Sequence, residues 1–261
     1  MNRQRSLIMA GLGVSAAIAI TTSMDASGLT EFSALPLLGL TIVFCLIQRL
    51  SPGETGLQIG QIRDYLAAIL LPCCVMAVIA AIAYVAGAVD VTETDWQKTG
   101  VNLLLGCTIG TLMVLLTEEG FFRGWLWGTL GRANLSPKRT LWLTTVAFVL
   151  WHISFVTLDT GFDLPWNQVP VYLANVLLLG AVWGKLRLES GSVIVPSVSH
   201  AVWNAFAYSL FGISGKTGVL GIESTIVFDP EVGWSGIVLN GAFAVCLWWF
   251  YAGRRETAAQ E

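Results

Sequence analysis

The segment AAILLPCCVMAVIAAIAYV, residues 67–85, decides the fold class of this chain. It contains no charged residue. At about 1.5 Å of rise per residue it is long enough to cross the roughly 30 Å hydrocarbon core of a bilayer as one α-helix. With its flanking residues the apolar run covers 65–88, and it predicts a transmembrane helix.

Seven other segments share this apolar character. With 65–88 they give eight predicted spans, the others being 6–22, 34–50, 101–131, 139–157, 169–188, 192–210 and 235–252. The segment 101–131 is too long for one upright span, so it must tilt, bend or project from the bilayer. Because the loops are short and no long linker occurs, we predict one integral-membrane domain over 1–261, an all-α, multi-spanning transmembrane helix bundle.

The composition supports the same class of protein. Hydrophobic residues make up 55% of the chain and charged residues only 12%, against roughly 25% charged in a water-soluble domain. The net charge of -3 comes with no basic patch, so nothing indicates a nucleic-acid partner. The five cysteines all lie in apolar runs and are interpreted as packing residues. The predicted location is the cell membrane, with the lipid bilayer as the main partner.

The basic residues predict the orientation. If both termini are cytoplasmic, only Lys98 and Lys216 lie outside, and the other basic residues lie in cytoplasmic segments, as the positive-inside rule requires. This cytoplasmic set is Arg3, Arg5, Arg49, Arg63, Arg123, Arg132, Lys138, Arg139, Lys185, Arg187, Arg254 and Arg255. The stretch 1–27 also has features of a signal peptide, but its cleavage site is poor, so we favour a retained first helix.

The fourth predicted span carries charged residues inside an apolar run. It reads LLTEEGFFR over residues 115–123. Adjacent residues on a helix point about 100° apart, so Glu118 and Glu119 can serve different partners. Glu119 and Arg123 are four residues apart and share a face, which favours an ion pair. Glu118 is then the carboxylate without a local partner, unless the trio is simply a solvated cap at the cytoplasmic membrane edge.

The two histidines of the chain also lie in apolar helices. His152 ends the run FVLWH, and His200 opens the run HAVWN, which places Asn204 on the same helical face as His200. A single histidine on an apolar helix is commonly a packed core residue. Two of them in separate spans, together with an intramembrane glutamate pair, indicate a functional site.

The depths of these residues in their spans agree with one another. Measured from the cytoplasmic ends of the segments, Glu118, Glu119, His152, His200 and Asn204 all lie roughly 12–20 Å into the membrane. We therefore expect Glu118, His152, His200 and Asn204 to surround one polar cavity, open to the cytoplasmic side.

Such a set of groups suits acyl hydrolysis. A carboxylate beside an imidazole can hold and deprotonate water, while a second imidazole and an amide can donate hydrogen bonds to a developing oxyanion. The alternative is a zinc site formed by Glu118, His152 and His200. No HExxH or other compact metal motif is present, so the sequence alone does not choose between the two.

At these residues the chain resembles a known family. The patterns Glu-Glu-x-x-x-Arg at 118–123, Phe-x-x-x-His at 148–152 and His-x-x-x-Asn at 200–204 resemble the CAAX protease and bacteriocin-processing family, also called CPBP or Abi. The resemblance is close over 101–210. It implies a multi-pass intramembrane glutamic endopeptidase that uses no cofactor, although the family was once described as metal-dependent.

The resemblance also implies roles for individual residues. Glu118 would be the general base and would hold water together with His152. The oxyanion would be stabilised by His200 and Asn204, and Glu119 and Arg123 would organise the site. The implied partner is a peptide or protein substrate, including lipidated or membrane-bound ones. Two alternatives remain open, namely a non-proteolytic membrane scaffold or bacteriocin self-immunity protein of the same fold, and a proton-coupled transporter.

Two further features receive structural interpretations. Gly120, Gly124 and Gly128 recur every four residues, which predicts close helix packing. The glycine-rich outer loop 211–234 is interpreted as a connection between two spans.

Overall fold

The computed structural model describes residues 2–92, 94–162, 164–213 and 216–258, and for Ile213 and 253–258 only the backbone. The ends of the predicted domain 1–261 therefore lie outside the described residues, as do the side chains of Arg254 and Arg255. The α-helices are α1 (Arg3–Ala26), α2 (Leu35–Gln48), α3 (Pro52–Thr55), α4 (Ile62–Val85), α5 (Trp96–Leu116), α6 (Trp127–Arg132), α7 (Pro137–Trp151), α8 (Ile153–Thr157), α9 (Val169–Ser190), α10 (Ile194–Phe206), α11 (Thr225–Phe228) and α12 (Trp234–Ala258).

Other short elements connect the helices. A 3₁₀ turn, Thr30–Phe32, precedes α2, and π-helical segments occupy Gly120–Leu126 and Ala207–Phe211. Two-residue strands β1 (Gly212–Ile213) and β2 (Lys216–Thr217) pair antiparallel, with Gly212 opposite Thr217. The predicted all-α bundle is confirmed, since this hairpin is the only sheet among the described residues.

Seven helices of the described chain are long and apolar enough to cross a membrane. Large apolar side chains point outward from them, for example Val85 on α4 and Trp249 on α12, both more than four-fifths exposed. A water-soluble protein does not expose so much apolar surface, so these side chains face lipid. The chain is a multi-pass membrane protein, and the cytoplasmic location of both termini stays a prediction.

The predicted span 192–210 is not one of the seven. It forms α10 and the second π-helical segment, and α10 packs against α4, α5 and α9 in the middle of the bundle. Since its surroundings are protein and not lipid, α10 can carry polar residues such as Ser197, Ser199 and His200, all of which are buried. Seven of the eight predicted spans are thus among the membrane-capable helices, and a crossing of the membrane by 192–210 stays a prediction.

The predicted span 101–131 is interrupted, as its length required. Helix α5 ends at Leu116, and Thr117 leaves the helical conformation with φ -104° and ψ -95°. A Cβ at Gly120 would lie 2.4 Å from the carbonyl oxygen of Leu115, so the interruption requires glycine there. The chain then continues through Gly120–Leu126 into α6. The interruption places Glu118 and Glu119 between Thr117 and the π-helical segment, and not within a regular α-helix.

Gly124 and Gly128 lie close to α3, a short segment that is cytoplasmic in the predicted orientation. A Cβ at Gly124 would lie 3.7 Å from the carbonyl oxygen of Thr55, and one at Gly128 only 2.9 Å from that of Glu54. Both partners belong to α3. The predicted close packing is confirmed at Gly128, where the partner is this four-residue helix and not another span, while a Cβ at Gly124 would make an ordinary contact.

We predict that Gly128→Ala destabilises the protein while Gly131→Ala does not. The new methyl group at 128 would meet backbone atoms that cannot rotate away, and overpacking of this kind costs about 1–3 kcal/mol. Nothing lies within 4 Å of a Cβ at Gly131, and alanine favours the helix by about 1 kcal/mol over glycine. Thermal unfolding in detergent measures both variants, and equal shifts would contradict the packing interpretation.

Candidate active site

The Glu119–Arg123 pair lies at the centre of the bundle. Nη1 of Arg123 is 3.2 Å from Oε1 of Glu119, and both side chains are completely buried. Arg123 also donates through Nη2 to the carbonyl oxygen of Gly180 at 3.0 Å, and its guanidinium lies 4.3 Å from the centre of the Phe148 ring. The ion pair expected from the spacing is therefore present. Its burial excludes a solvated cap at the membrane edge.

His200 faces both glutamates. Its Nδ1 is 3.1 Å from Oε1 of Glu119, and its Nε2 is 3.9 Å from Oε2 of Glu118. The indole of Trp183 stacks on the imidazole with a centroid distance of 3.7 Å and an interplanar angle of 13°. The ring is thus fixed in orientation by a stacked indole on its face and a carboxylate at Nδ1.

The second histidine has a defined tautomer. His152 lies between α7 and α8, and its Nδ1 is 2.8 Å from the carbonyl oxygen of Phe148. A carbonyl oxygen only accepts hydrogen bonds, so Nδ1 carries the hydrogen. In a neutral ring Nε2 then has a free lone pair and can accept a hydrogen bond from water.

Four of the predicted site residues line one cavity of about 170 Å³. They are Glu118, His152, His200 and Asn204. The fully buried Glu119 and Arg123 stand behind His200 and are not part of the lining.

The position of the cavity differs from the expected one. Its wall includes Thr21 near the end of α1 together with Thr30 and Ser33 before α2. In the predicted orientation these residues lie toward the outer face, because α1 starts in the cytoplasm. An opening on the cytoplasmic side is therefore not supported. The depth estimate placed each residue along its own span but said nothing about which neighbouring helices end beside it.

Helix α1 is bonded to the helices that carry His152. The indole Nε1 of Trp151 donates to Oγ1 of Thr21 at 2.8 Å, and Oγ of Ser154 donates to Oδ2 of Asp25 at 2.6 Å. These two bonds flank His152 along the chain. Helix α1 therefore fixes the backbone from which His152 projects.

Several cavity residues were not predicted from the sequence. Tyr172 of α9 and Tyr208 of the second π-helical segment line the cavity, and Trp183 supports His200. Tyr208 could have been found, because 200, 204 and 208 follow one another at four-residue spacing on one helical face. Tyr172 and Trp183 had no such signal, since only the packing of α9 brings them to the site.

The metal alternative gains no geometric support from the described part of the chain. There, no group of three or more His, Cys, Asp or Glu side chains is arranged to hold a metal ion. The zinc site at Glu118, His152 and His200 and the absence of any cofactor both stay predictions.

A comparison with protein families matches the part of the chain that contains the candidate site. The model of the family described as type II CAAX prenyl endopeptidase Rce1-like matches residues 100–206. Residues 100–206 are similar to this family. The match confirms the resemblance to the CAAX protease family, and all six predicted site residues fall inside it. No curated protein and no solved structure gives a significant match to the chain.

The Rce1-like match covers only part of the candidate site and its surroundings. The matched residues run from α5 to the end of α10, with the interruption after α5, the buried ion pair and both histidines between them. Tyr208 and the loop 211–234 lie outside the match. The Rce1-like family is a family of membrane proteases, which agrees with the seven membrane-capable helices.

Proposed function

We propose that this protein is an intramembrane endopeptidase that hydrolyses peptide bonds with a water molecule activated by Glu118. The observation that carries the proposal is the cavity of about 170 Å³ lined by Glu118, His152, His200 and Asn204, within the Rce1-like part of the chain. The substrate is a peptide or protein, and lipidated or membrane-bound substrates are compatible with a site surrounded by helices.

Glu118 is the proposed general base. Its carboxylate lies 3.9 Å from Nε2 of His200, longer than a direct hydrogen bond, so both groups remain available to a bound water. The lone pair on Nε2 of His152 can orient the same water. Glu118 removes a proton from the water while the oxygen of that water attacks the scissile carbonyl carbon. It returns that proton to the amine when the carbon–nitrogen bond breaks.

His200 and Asn204 are the proposed oxyanion donors. The amide of Asn204 donates directly. His200 is more restricted, because Nδ1 faces the Glu119 carboxylate at 3.1 Å and must carry a hydrogen. For Nε2 to donate as well, the ring must be the imidazolium form. In that form the adjacent carboxylates of Glu118 and Glu119 stabilise its positive charge.

We predict that Asn204→Ala lowers kcat by roughly 10²–10³, the usual effect of removing one oxyanion donor. The base Glu118 is untouched by this change, so substrate binding should change less than kcat. The matched control is Asn102→Ala. Asn102 lines the groove between α5 and α10 beside Asn204, but not the cavity of Glu118. A loss of the same size in both variants would argue against a specific role for Asn204.

The mechanism also predicts that hydrolysis needs no metal. Dialysis against a chelator should leave kcat unchanged, because Glu118 and His152 activate water without a Lewis acid. The measurement is cleavage of a quenched peptide library in liposomes before and after dialysis, with metal analysis of the purified protein. Loss of activity that zinc restores, together with stoichiometric bound zinc, would replace the glutamate mechanism but keep the protease assignment.

A further inference from the structure

The loop 211–234 carries a carboxyl group that lies inside the bundle, beside the proposed active site. Glu231 precedes α12, and its Oε1 accepts a hydrogen bond of 3.0 Å from Nε1 of Trp203. Trp203 is completely buried in α10 and immediately precedes Asn204. This contact brings Glu231 to the helix that carries His200 and Asn204, although Glu231 lies outside the Rce1-like residues.

A second small cavity joins Glu231 to the site. It has a volume of about 30 Å³, enough for about one or two oxygen atoms. Glu231 lines it together with His152, Tyr172, His200, Asn204 and Tyr208, and these five residues also line the larger cavity that contains Glu118. Glu231 therefore forms a wall of the same polar interior.

Hydrogen bonds fix the position of Glu231 in the loop before α12. The side-chain amide of Asn175 donates to the carbonyl oxygen of Glu231 at 2.8 Å, and Asn240 donates to Oδ1 of Asn175 at 2.8 Å. Oδ1 of Asp229 accepts from the backbone N–H groups of Glu231 and Val232, at 2.7 and 2.9 Å. Hydrogen bonds from α9, α12 and the loop itself thus orient the backbone of Glu231.

We propose that Glu231 is a further substrate-binding residue, which donates a hydrogen bond from its carboxyl group to a backbone carbonyl oxygen of the peptide. The inference rests on the proposed peptidase function. Trp203 already donates to one oxygen of the carboxyl group, which leaves the second oxygen for the substrate. A space of about 30 Å³ accepts a carbonyl oxygen but no large side chain, and since every residue has a backbone carbonyl the contact would not depend on substrate sequence.

The proposed donation requires a protonated carboxyl group. Burial, followed by the nearby charge of Asp229, raises the pKa of Glu231 to about 8, and the hydrogen bond from Trp203 only partly opposes this. Glu231 therefore keeps its proton below about pH 8 and loses it above. The titratable or charged groups around it are Asp229 on its own loop, Glu118, His152, Tyr172, His200 and Tyr208 around the inner cavities, and Lys216 and Glu223 in the outer pocket.

Peptide cleavage by the whole protein in liposomes, measured from pH 6 to 10, tests the inference. The wild-type KM should rise roughly two- to tenfold as the pH passes 8, because ionised Glu231 cannot donate. Glu231→Gln keeps a donor and cannot ionise, so this alkaline rise in KM should disappear. Glu231→Ala should raise KM roughly two- to tenfold at pH 7, with a smaller effect on kcat, as for the loss of one hydrogen bond.

The matched control is Glu223→Gln. Glu223 shares the outer pocket of about 340 Å³ with Glu231 but does not line either inner cavity, so the alkaline rise in KM should remain. Thermal unfolding checks that the variants are folded. An alkaline rise in KM that persists in Glu231→Gln, or an unchanged KM in Glu231→Ala, overturns this inference alone. Absence of any cleavage by the wild type overturns the proposed function, and this inference with it.

Discussion

Glu118→Gln is expected to abolish most peptide hydrolysis while leaving the protein folded. The amide has the size of the carboxylate and can still form hydrogen bonds, but it cannot accept a proton from water. General bases contribute roughly 10²–10⁴ to the rate, so kcat should fall by a factor in this range. Glu118 lines the cavity and contributes little to the packing of the core, so thermal unfolding should change little.

The comparison variant for Glu118→Gln is Glu31→Gln. Glu31 lies on the 3₁₀ turn, next to Thr30 of the cavity wall, but its side chain is exposed. The same chemical change there should leave kcat unaltered. Full activity in Glu118→Gln would rule out the proposed base. If the wild type cleaves no peptide but the protein confers a phenotype that survives Glu118→Gln, a scaffold or immunity role is the better explanation.

Arg123→Met should destabilise the protein by about 3–5 kcal/mol and remove activity. The substitution leaves the Glu119 carboxylate buried with its positive partner gone, and an uncompensated buried charge is costly. It also removes the hydrogen bond to the carbonyl oxygen of Gly180. Unfolding in detergent measures the stability, and Arg139→Met is the control. Arg139 is exposed, so its replacement should change the free energy of unfolding by less than about 0.5 kcal/mol.

A second substitution separates charge from shape in this pair. Adding Glu119→Gln to Arg123→Met removes the unpaired charge, so part of the lost stability should return. Activity should not return, because His200 has lost the carboxylate that orients it through Nδ1. If the double variant is no more stable than Arg123→Met alone, the charge of Glu119 is not what makes the single change costly.

The fold could be predicted well from the sequence where lipid is the solvent. Spans such as 65–88 are uniformly apolar because every residue there faces either lipid or the core. The pattern is weakest at 192–210, because α10 is surrounded by protein and its surface need not be apolar. Apolar patterns report the environment of a helix, so they do not show that α10 lies inside the bundle and not in contact with lipid.

The candidate site was predictable only in its local parts. The Glu119–Arg123 pair follows from helical spacing, because residues four apart share a face. The contact between Glu119 and His200 joins residues far apart in the sequence and depends on how α10 packs against α5. Glu231 was harder still, since it comes from a loop without periodicity and was interpreted as part of a connection.

The π-helical segment Gly120–Leu126 has a consequence for how this chain tolerates insertions and deletions. A π-helical turn accommodates one more residue than an α-helical turn, and such turns arise in α-helices by single-residue insertion. Deleting one residue there would restore α-helical turns, because about six α-helical residues turn the chain nearly as far as the seven π-helical ones. Helix α6 would keep its orientation relative to Glu119, and a deletion between Glu119 and Arg123 would leave them three residues apart, still on one face. A single-residue deletion in this segment should therefore be absorbed locally, whereas the same deletion within α5 would rotate the residues after it by about 100°.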